Sequence, residues 1–171
     1  MDYYDEISEG YDELYEGEQL KKLSIIADKI KIPKDNRLLD VGCGTGISTR
    51  FFECDRTGVD PSRKMVEIAK QKDPEGKYIV AQAENLPFED DSFGFVVSVT
   101  AVHNFKNVEK GLREIKRVAK DGHENIVLTV LRKSKNFEET EKLIMKNFRL
   151  KEIALDSKDA IFFLEIQLPA D

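Results

Sequence analysis

Leu38-Leu39-Asp40-Val41-Gly42-Cys43-Gly44-Thr45-Gly46 is the stretch whose reading decides the fold. Apolar, β-favouring residues run straight into three glycines at alternate positions, and an amphipathic segment over residues 47–53 follows at once. That pattern predicts a strand, a tight turn and the start of a helix, an arrangement in which backbone N–H groups and a helix dipole face a ligand. A dinucleotide fingerprint, G-x-G-x-x-G, needs its third glycine at the position held by Ile47. This chain instead reads G-x-G-x-G, with the acid Asp40 two residues ahead of Gly42. A second short strand, Arg56-Thr57-Gly58-Val59-Asp60-Pro61, ends in a carboxylate. In an α/β nucleotide fold, an acid so placed takes a ribose diol.

These motifs, with Ala83-Glu84-Asn85-Leu86-Pro87-Phe88 further on, occur in the order and spacing of class I S-adenosylmethionine (SAM)-dependent methyltransferases. The resemblance extends over about residues 4–130 and is nearest the branch containing the ubiquinone and menaquinone C-methyltransferases. It implies a doubly wound, Rossmann-like α/β fold whose seven-stranded sheet is mostly parallel and closes with a C-terminal antiparallel hairpin. It also implies SAM as cofactor, with S-adenosylhomocysteine as product. On this reading residues 1–171 form a single methyltransferase domain. Residues 1–32 make an N-terminal helical lid, 37–131 the SAM-binding core, and 136–168 a helix and the terminal hairpin.

Composition agrees with a soluble globular chain of one domain: 171 residues, 40% hydrophobic and 35% charged, long enough to bury a core. No apolar run approaches the ~20 residues that span a bilayer. The acidic, aromatic start does not resemble a signal peptide. Two cysteines, Cys43 and Cys54, read as reduced thiols of a cytoplasmic protein, and two histidines, His103 and His123, form no metal-spaced cluster. Net charge is −6, and the first 18 residues carry eight acids without a Lys or Arg, so the remainder is +2, since −6 less −8 is +2. An acidic lip near a site repels phosphate backbones, which argues against nucleic acid; a solvated helix face is the alternative.

Along the chain, residues 18–31 carry Leu20, Leu23, Ala27 and Ile30 at helical spacing. A Ser62-capped helix over 62–72 is expected to bury Met65, Val66, Ile68 and Ala69. Strands are predicted at 77–82, 92–99 and 125–131, with a helix over 108–120 between the last two. Gly94 falls inside its strand, where glycine often marks close backbone approach. A last helix over 137–146 leads into strands at 148–155 and 160–168, joined tightly through Asp156-Ser157-Lys158-Asp159. In the second of these, Phe162, Leu164, Ile166 and Leu168 alternate with Glu165 and Gln167, the pattern of a half-exposed strand.

For the site, the resemblance implies cofactor contacts from Asp40, Gly42, Cys43, Gly44, Gly46, Asp60, Pro61, Gln82, Ala83, Glu84 and Thr100. Tyr11, from a tyrosine-rich segment, is expected to cover the cofactor, since its ring offers a flat apolar face with one wet end. Gln82 stands where the family usually has Asp, and its carbonyl still accepts from the adenine amine without charge assistance. No metal is implied. His103 has two readings: a general base for an acidic acceptor, or a pocket-wall histidine that orients a loop. Three functions remain in view. The first is a methyltransferase for a small molecule. The second acts on a protein or RNA, with a partner subunit or second copy completing an open site. The third is a non-catalytic SAM-binding module.

Overall fold

The structure, a computed structural model, describes residues 11–122 and 125–167, and of residues 11–15 only the backbone. Chain order is α1 (Tyr11–Lys29), β1 (Arg37–Val41), α2 (Ile47–Phe51), β2 (Asp55–Asp60), α3 (Arg63–Lys72), β3 (Lys77–Val80), β4 (Phe95–Ser98) and α4 (Val108–Val118). Then come β5 (Ile126–Leu131), α5 (Phe137–Asn147), β6 (Phe148–Leu155) and β7 (Asp159–Ile166). The seven strands form one sheet in the order β3-β2-β1-β4-β5-β7-β6. The first five pair in parallel, and β7 pairs antiparallel with both β5 and β6. The predicted fold class, with its closing hairpin, is the one observed.

Successive apolar residues along each central strand serve opposite faces of the sheet. Leu39, Val96, Leu128 and Phe162 pack with Leu112 and Ile115 of α4. Their neighbours Leu38, Val97, Val127 and Ile161 pack with Leu23 and Ile26 of α1. A strand covered on both sides has no polar phase, which is why these segments read as near-continuous apolar runs.

Several expectations need correction. Helix α1 begins by Tyr11 rather than 18, and its expected apolar face is buried at Leu23 and Ile30 but not at Leu20. Leu20 is 41% exposed, whereas Lys22 is only 4% exposed beside Leu23 and Ile26. Lys22 is buried because it finds a buried carboxylate across the sheet, described below. Ile68 is half-buried on α3, leaving Met65, Val66 and Ala69 as its core face. The Ser62 cap is present, accepting from the Met65 amide at 3.2 Å. Strand β3 ends at Val80, two residues early, and β4 is trimmed to Phe95–Ser98. Gly94 does mark a close approach: a side chain there would run into the Asn36 amide oxygen. Strand β7 is not half-exposed but buried from Asp159 to Glu165, because it inserts between β5 and β6 instead of forming the edge. The exposed edge is β6, where Leu155 is 61% exposed.

Candidate functional site

Strand β1 has β2 on one side and β4 on the other, so the chain's direction of travel across the sheet reverses between β1 and β4. Above the carboxyl ends of strands at such a switch point an open α/β sheet forms a crevice. A cavity of about 370 Å³ lies there, within the ~300–1,000 Å³ of small-molecule sites. Its floor is Gly42 and Gly44; Asp60, Pro61 and Met65 form one side, and Ala81, Gln82, Ala83 and Glu84 continue that side. Val99, Thr100 and Ala101 form the opposite wall, with Asn104, Phe105 and Lys106 beyond them.

The turn after β1 is held in the left-handed region, with φ 79° at Gly42. A Cβ on Gly42 would come within 2.5 Å of the Ala101 Cβ, so the bare backbone lets the two cavity walls meet. Gly46, at φ 84°, lies over Tyr78, where an added Cβ would come within 2.8 Å of the phenol oxygen. The expectation that this loop offers free amides to a ligand is corrected. Gly42 and Cys43 both donate to the Val59 carbonyl, Gly46 donates to the Cys43 carbonyl, and Gly44 donates to Asp60 Oδ2 at 2.9 Å. The following helix spans only five residues. The loop therefore contributes shape rather than an anion-binding nest. That suits a cationic, phosphate-free ligand and disfavours a pyrophosphate.

Asp60 ends β2 half-buried against the cavity, its Oδ2 on the Gly44 amide and its Oδ1 on the Ser62 amide at 2.9 Å. Each carboxylate oxygen has a second lone pair, so a diol placed in the cavity still finds acceptors. Asp40 plays another part. It is fully buried beneath the loop and outside the cavity lining. Its Oδ2 accepts from Ser48 at 2.5 Å and Thr49 at 2.8 Å, tying the end of β1 to α2, while Oδ1 has no partner. Burial pushes its carboxyl up to about 6; the two hydroxyl bonds oppose this, and the charge of Asp60 adds to it. Cys43 also lies under the floor, its thiol pushed well up by burial and then by Asp40 and Asp60, so it is an inert packing group. Both cysteines are free thiols.

Of the predicted residues, the structure brings Gly42, Gly44, Asp60, Pro61, Gln82, Ala83, Glu84 and Thr100 to the cavity. Asp40, Cys43 and Gly46 are under it. Glu84 is partly engaged, accepting from the Asn107 amide at 2.9 Å ahead of α4. Leu86 is core, 3% exposed. The Tyr11 side chain and residues 1–10 lie outside the described residues. His103 sits in a short 3-10 turn behind the wall rather than in the lining. Its carbonyl accepts from Asn136, and its Nδ1 is buried without a partner. Burial holds its pKa below the usual imidazole value, with the Lys22 charge adding to the effect and Asp159 opposing it. Met65, Ala81, Val99 and Lys106 line the cavity and were missed. Met65 lies one turn beyond the Ser62 cap, a spacing that could have found it. Among the described residues no group of three potential metal ligands occurs.

A family profile described as a methyltransferase domain matches residues 39–126. The chain is 33% identical over 140 residues to a demethylmenaquinone methyltransferase of Thermotoga maritima, covering 77% of this chain and 61% of that protein. It is 37% identical over 112 residues to a ubiquinone/menaquinone biosynthesis C-methyltransferase of Geotalea daltonii, covering 58% and 48%. The chain thus spans about two-fifths to three-fifths of the length of the curated relatives it matches. Among solved structures, one chain of the complex between the Haloferax volcanii Trm112 methyltransferase activator and a methyltransferase superposes with a TM-score of 0.78. It is 22% identical and covers 99% of this chain and 84% of that one, a likeness of fold.

Proposed function

The chain belongs to the methyltransferase domain family, and from that premise we propose that it transfers the methyl group of SAM to a small-molecule acceptor. One observation carries the cofactor reading: a cavity at the switch point holds a carboxylate at the end of β2, above a glycine turn whose amides are already used. A dinucleotide needs those amides free; a sulfonium cofactor does not. Asp60 is assigned to the ribose hydroxyls, Gln82 and Ala83 to the adenine, and Gly42 and Gly44 to the amino-acid arm. Bound SAM supplies a methyl group already activated by its sulfonium. Residues of the chain hold the two reactants in line and exclude water, which accounts for ~7–11 kcal/mol of barrier in well-oriented reactions. Transfer to the acceptor would leave S-adenosylhomocysteine as the neutral thioether product, with any proton of the acceptor released to solvent. No side chain need carry that step, and the place of His103 behind the cavity wall favours the loop-orienting reading over the general base.

A small acceptor is favoured by the quinone-branch relatives, which act on small molecules by name. A macromolecular acceptor reached with a partner subunit is the second reading. Among the described residues the outer edge of β3 is unpaired, with Ile79 37% and Val80 43% exposed just ahead of the cavity-lining Ala81, and the Haloferax structure joins a methyltransferase to an activator. Calorimetric titration with S-adenosylhomocysteine and NAD side by side tests the cofactor: micromolar binding of the former alone is expected, and binding of NAD in its place overturns the assignment.

A further inference from the structure

Two buried charges lie outside the cavity lining and both reach Thr100, which is part of it. Lys22 Nζ, on α1, donates to Thr100 Oγ1 at 2.6 Å and pairs with Asp159 Oδ2 at 3.0 Å. Thr100 Oγ1 in turn donates to Asp159 Oδ2 at 2.7 Å, and Thr129 Oγ1 donates to the same oxygen at 2.9 Å. Thr129 Oγ1 also accepts from the Thr100 amide at 2.7 Å. The side chains of Lys22 and Asp159 are 5% and 1% exposed. Both would be better solvated apart in water, so their burial here has to serve the structure around them.

The backbone of Thr100 supplies that purpose. Its φ is +55°, a left-handed conformation that is costly for a β-branched residue and persists only where neighbours over-determine it. Amide and hydroxyl of this residue are both fully engaged by the cluster, which pins both ends of the strained turn. The next residue, Ala101, is the one that meets bare Gly42 across the cavity. A continuous path of contacts therefore runs from α1 and β7, through Thr100 and Ala101, to the glycine turn.

We infer that Lys22 and Asp159 are positioning residues: their buried pair holds the Thr100–Ala101 turn in its left-handed shape and so sets the cavity wall against Gly42. This rests on the SAM reading above and concerns the half of the cavity opposite Asp60 and Gln82. Asp60, Gln82 and Ala83, assigned to the adenosine half, come from the ends of β2 and β3, on the other side of β1 from the turn after β4. In consequence the pair governs affinity for the amino-acid arm and leaves affinity for adenosine alone.

The test compares wild type, Lys22→Met and the neutral double variant Lys22→Met/Asp159→Asn, which leaves no buried charge unpaired if the single variant fails to fold. S-adenosylhomocysteine and adenosine are titrated into each at a temperature where the protein is folded. At least tenfold weaker binding of S-adenosylhomocysteine, with adenosine within threefold of wild type, is expected. Equal binding of S-adenosylhomocysteine, or parallel loss of both ligands, overturns the inference and reduces the cluster to a dock for α1. Amide exchange in the wild type needs no variant: Thr100 and Ala101 should slow on adding S-adenosylhomocysteine and not on adding adenosine, and an equal response to both counts against the inference. Failure of wild type to bind S-adenosylhomocysteine at all would instead remove the cofactor reading itself.

Discussion

Asp60→Ala removes a carboxylate that both faces the cavity and holds the Gly44 amide of its floor. Two losses follow from the geometry. The ribose hydroxyls lose acceptors on a charged group, each such bond being worth about 1.5–3 kcal/mol. If one bond's worth is lost net, S-adenosylhomocysteine binds about 10- to 150-fold more weakly. The Gly44 and Ser62 amides also lose their shared partner. Because Asp60 is only half-buried, water re-solvates part of that gap, and the fold should lose no more than about 1–2 kcal/mol. Calorimetry gives the first quantity and urea denaturation the second. Asp60→Asn keeps one carbonyl acceptor and should fall between wild type and alanine. A dissociation constant within threefold of wild type, in an Asp60→Ala protein that still unfolds cooperatively, refutes the ribose assignment.

Three other perturbations have defined signs. Gly42→Ala places a methyl group against Ala101 at φ 79°; left-handed strain of roughly 1–2 kcal/mol with overpacking of about 1–3 kcal/mol should appear as a lowered urea midpoint and lost ligand binding. Asp40 has a folded pKa of about 6 against 3.8 unfolded, so the native state holds its proton more tightly and Asp40 costs stability increasingly as pH rises across that window. Asp40→Asn, which keeps an acceptor for Ser48 and Thr49, should therefore be more stable than wild type at pH 7 and level with it near pH 4 in paired denaturation curves. Asp73 has the opposite sign: the bidentate Arg56 guanidinium, with the Tyr78 hydroxyl, holds its carboxyl below the usual range against the opposing cost of burial. Its stabilisation is present above the unfolded value of 3.8 and is lost as pH falls through the lower folded value. In Asp73→Asn, the stability curve should be flatter than wild type on the acid side of pH 4.

The parts of the site legible in the sequence were those whose chemistry is local. Three glycines at alternate positions constrain a turn wherever they occur after a strand, and Asp60 ends its strand before a Pro-Ser cap. Gln82, Ala83 and Glu84 follow the third strand directly, so chain connectivity alone brings them to the carboxyl edge. What was not legible depends on partners distant in sequence. Lys22 lies off the apolar positions read at Leu20 and Leu23, yet it is buried and Leu20 is not, because Asp159, across the sheet, takes its charge. Strand β7 carries Glu165 and looked half-exposed, yet strand order places it inside the sheet. Its Glu165 is buried there beside Arg149 of β6. His103 lies only two residues beyond Ala101, but the 3-10 turn over Val102–Asn104 keeps it out of the cavity lining. The use of the loop amides was likewise hidden, since the Val59 carbonyl and Asp60 come from the neighbouring strand.

Methyl transfer itself is the most direct test of the central claim. Purified protein is incubated with methyl-labelled SAM and a cell extract split into small-molecule and macromolecular fractions. Label entering the small-molecule fraction, with an equal amount of S-adenosylhomocysteine and in proportion to enzyme, is the predicted result. No S-adenosylhomocysteine above the protein-free control, from a protein that binds it tightly, would contradict catalysis and leave a binding module in its place.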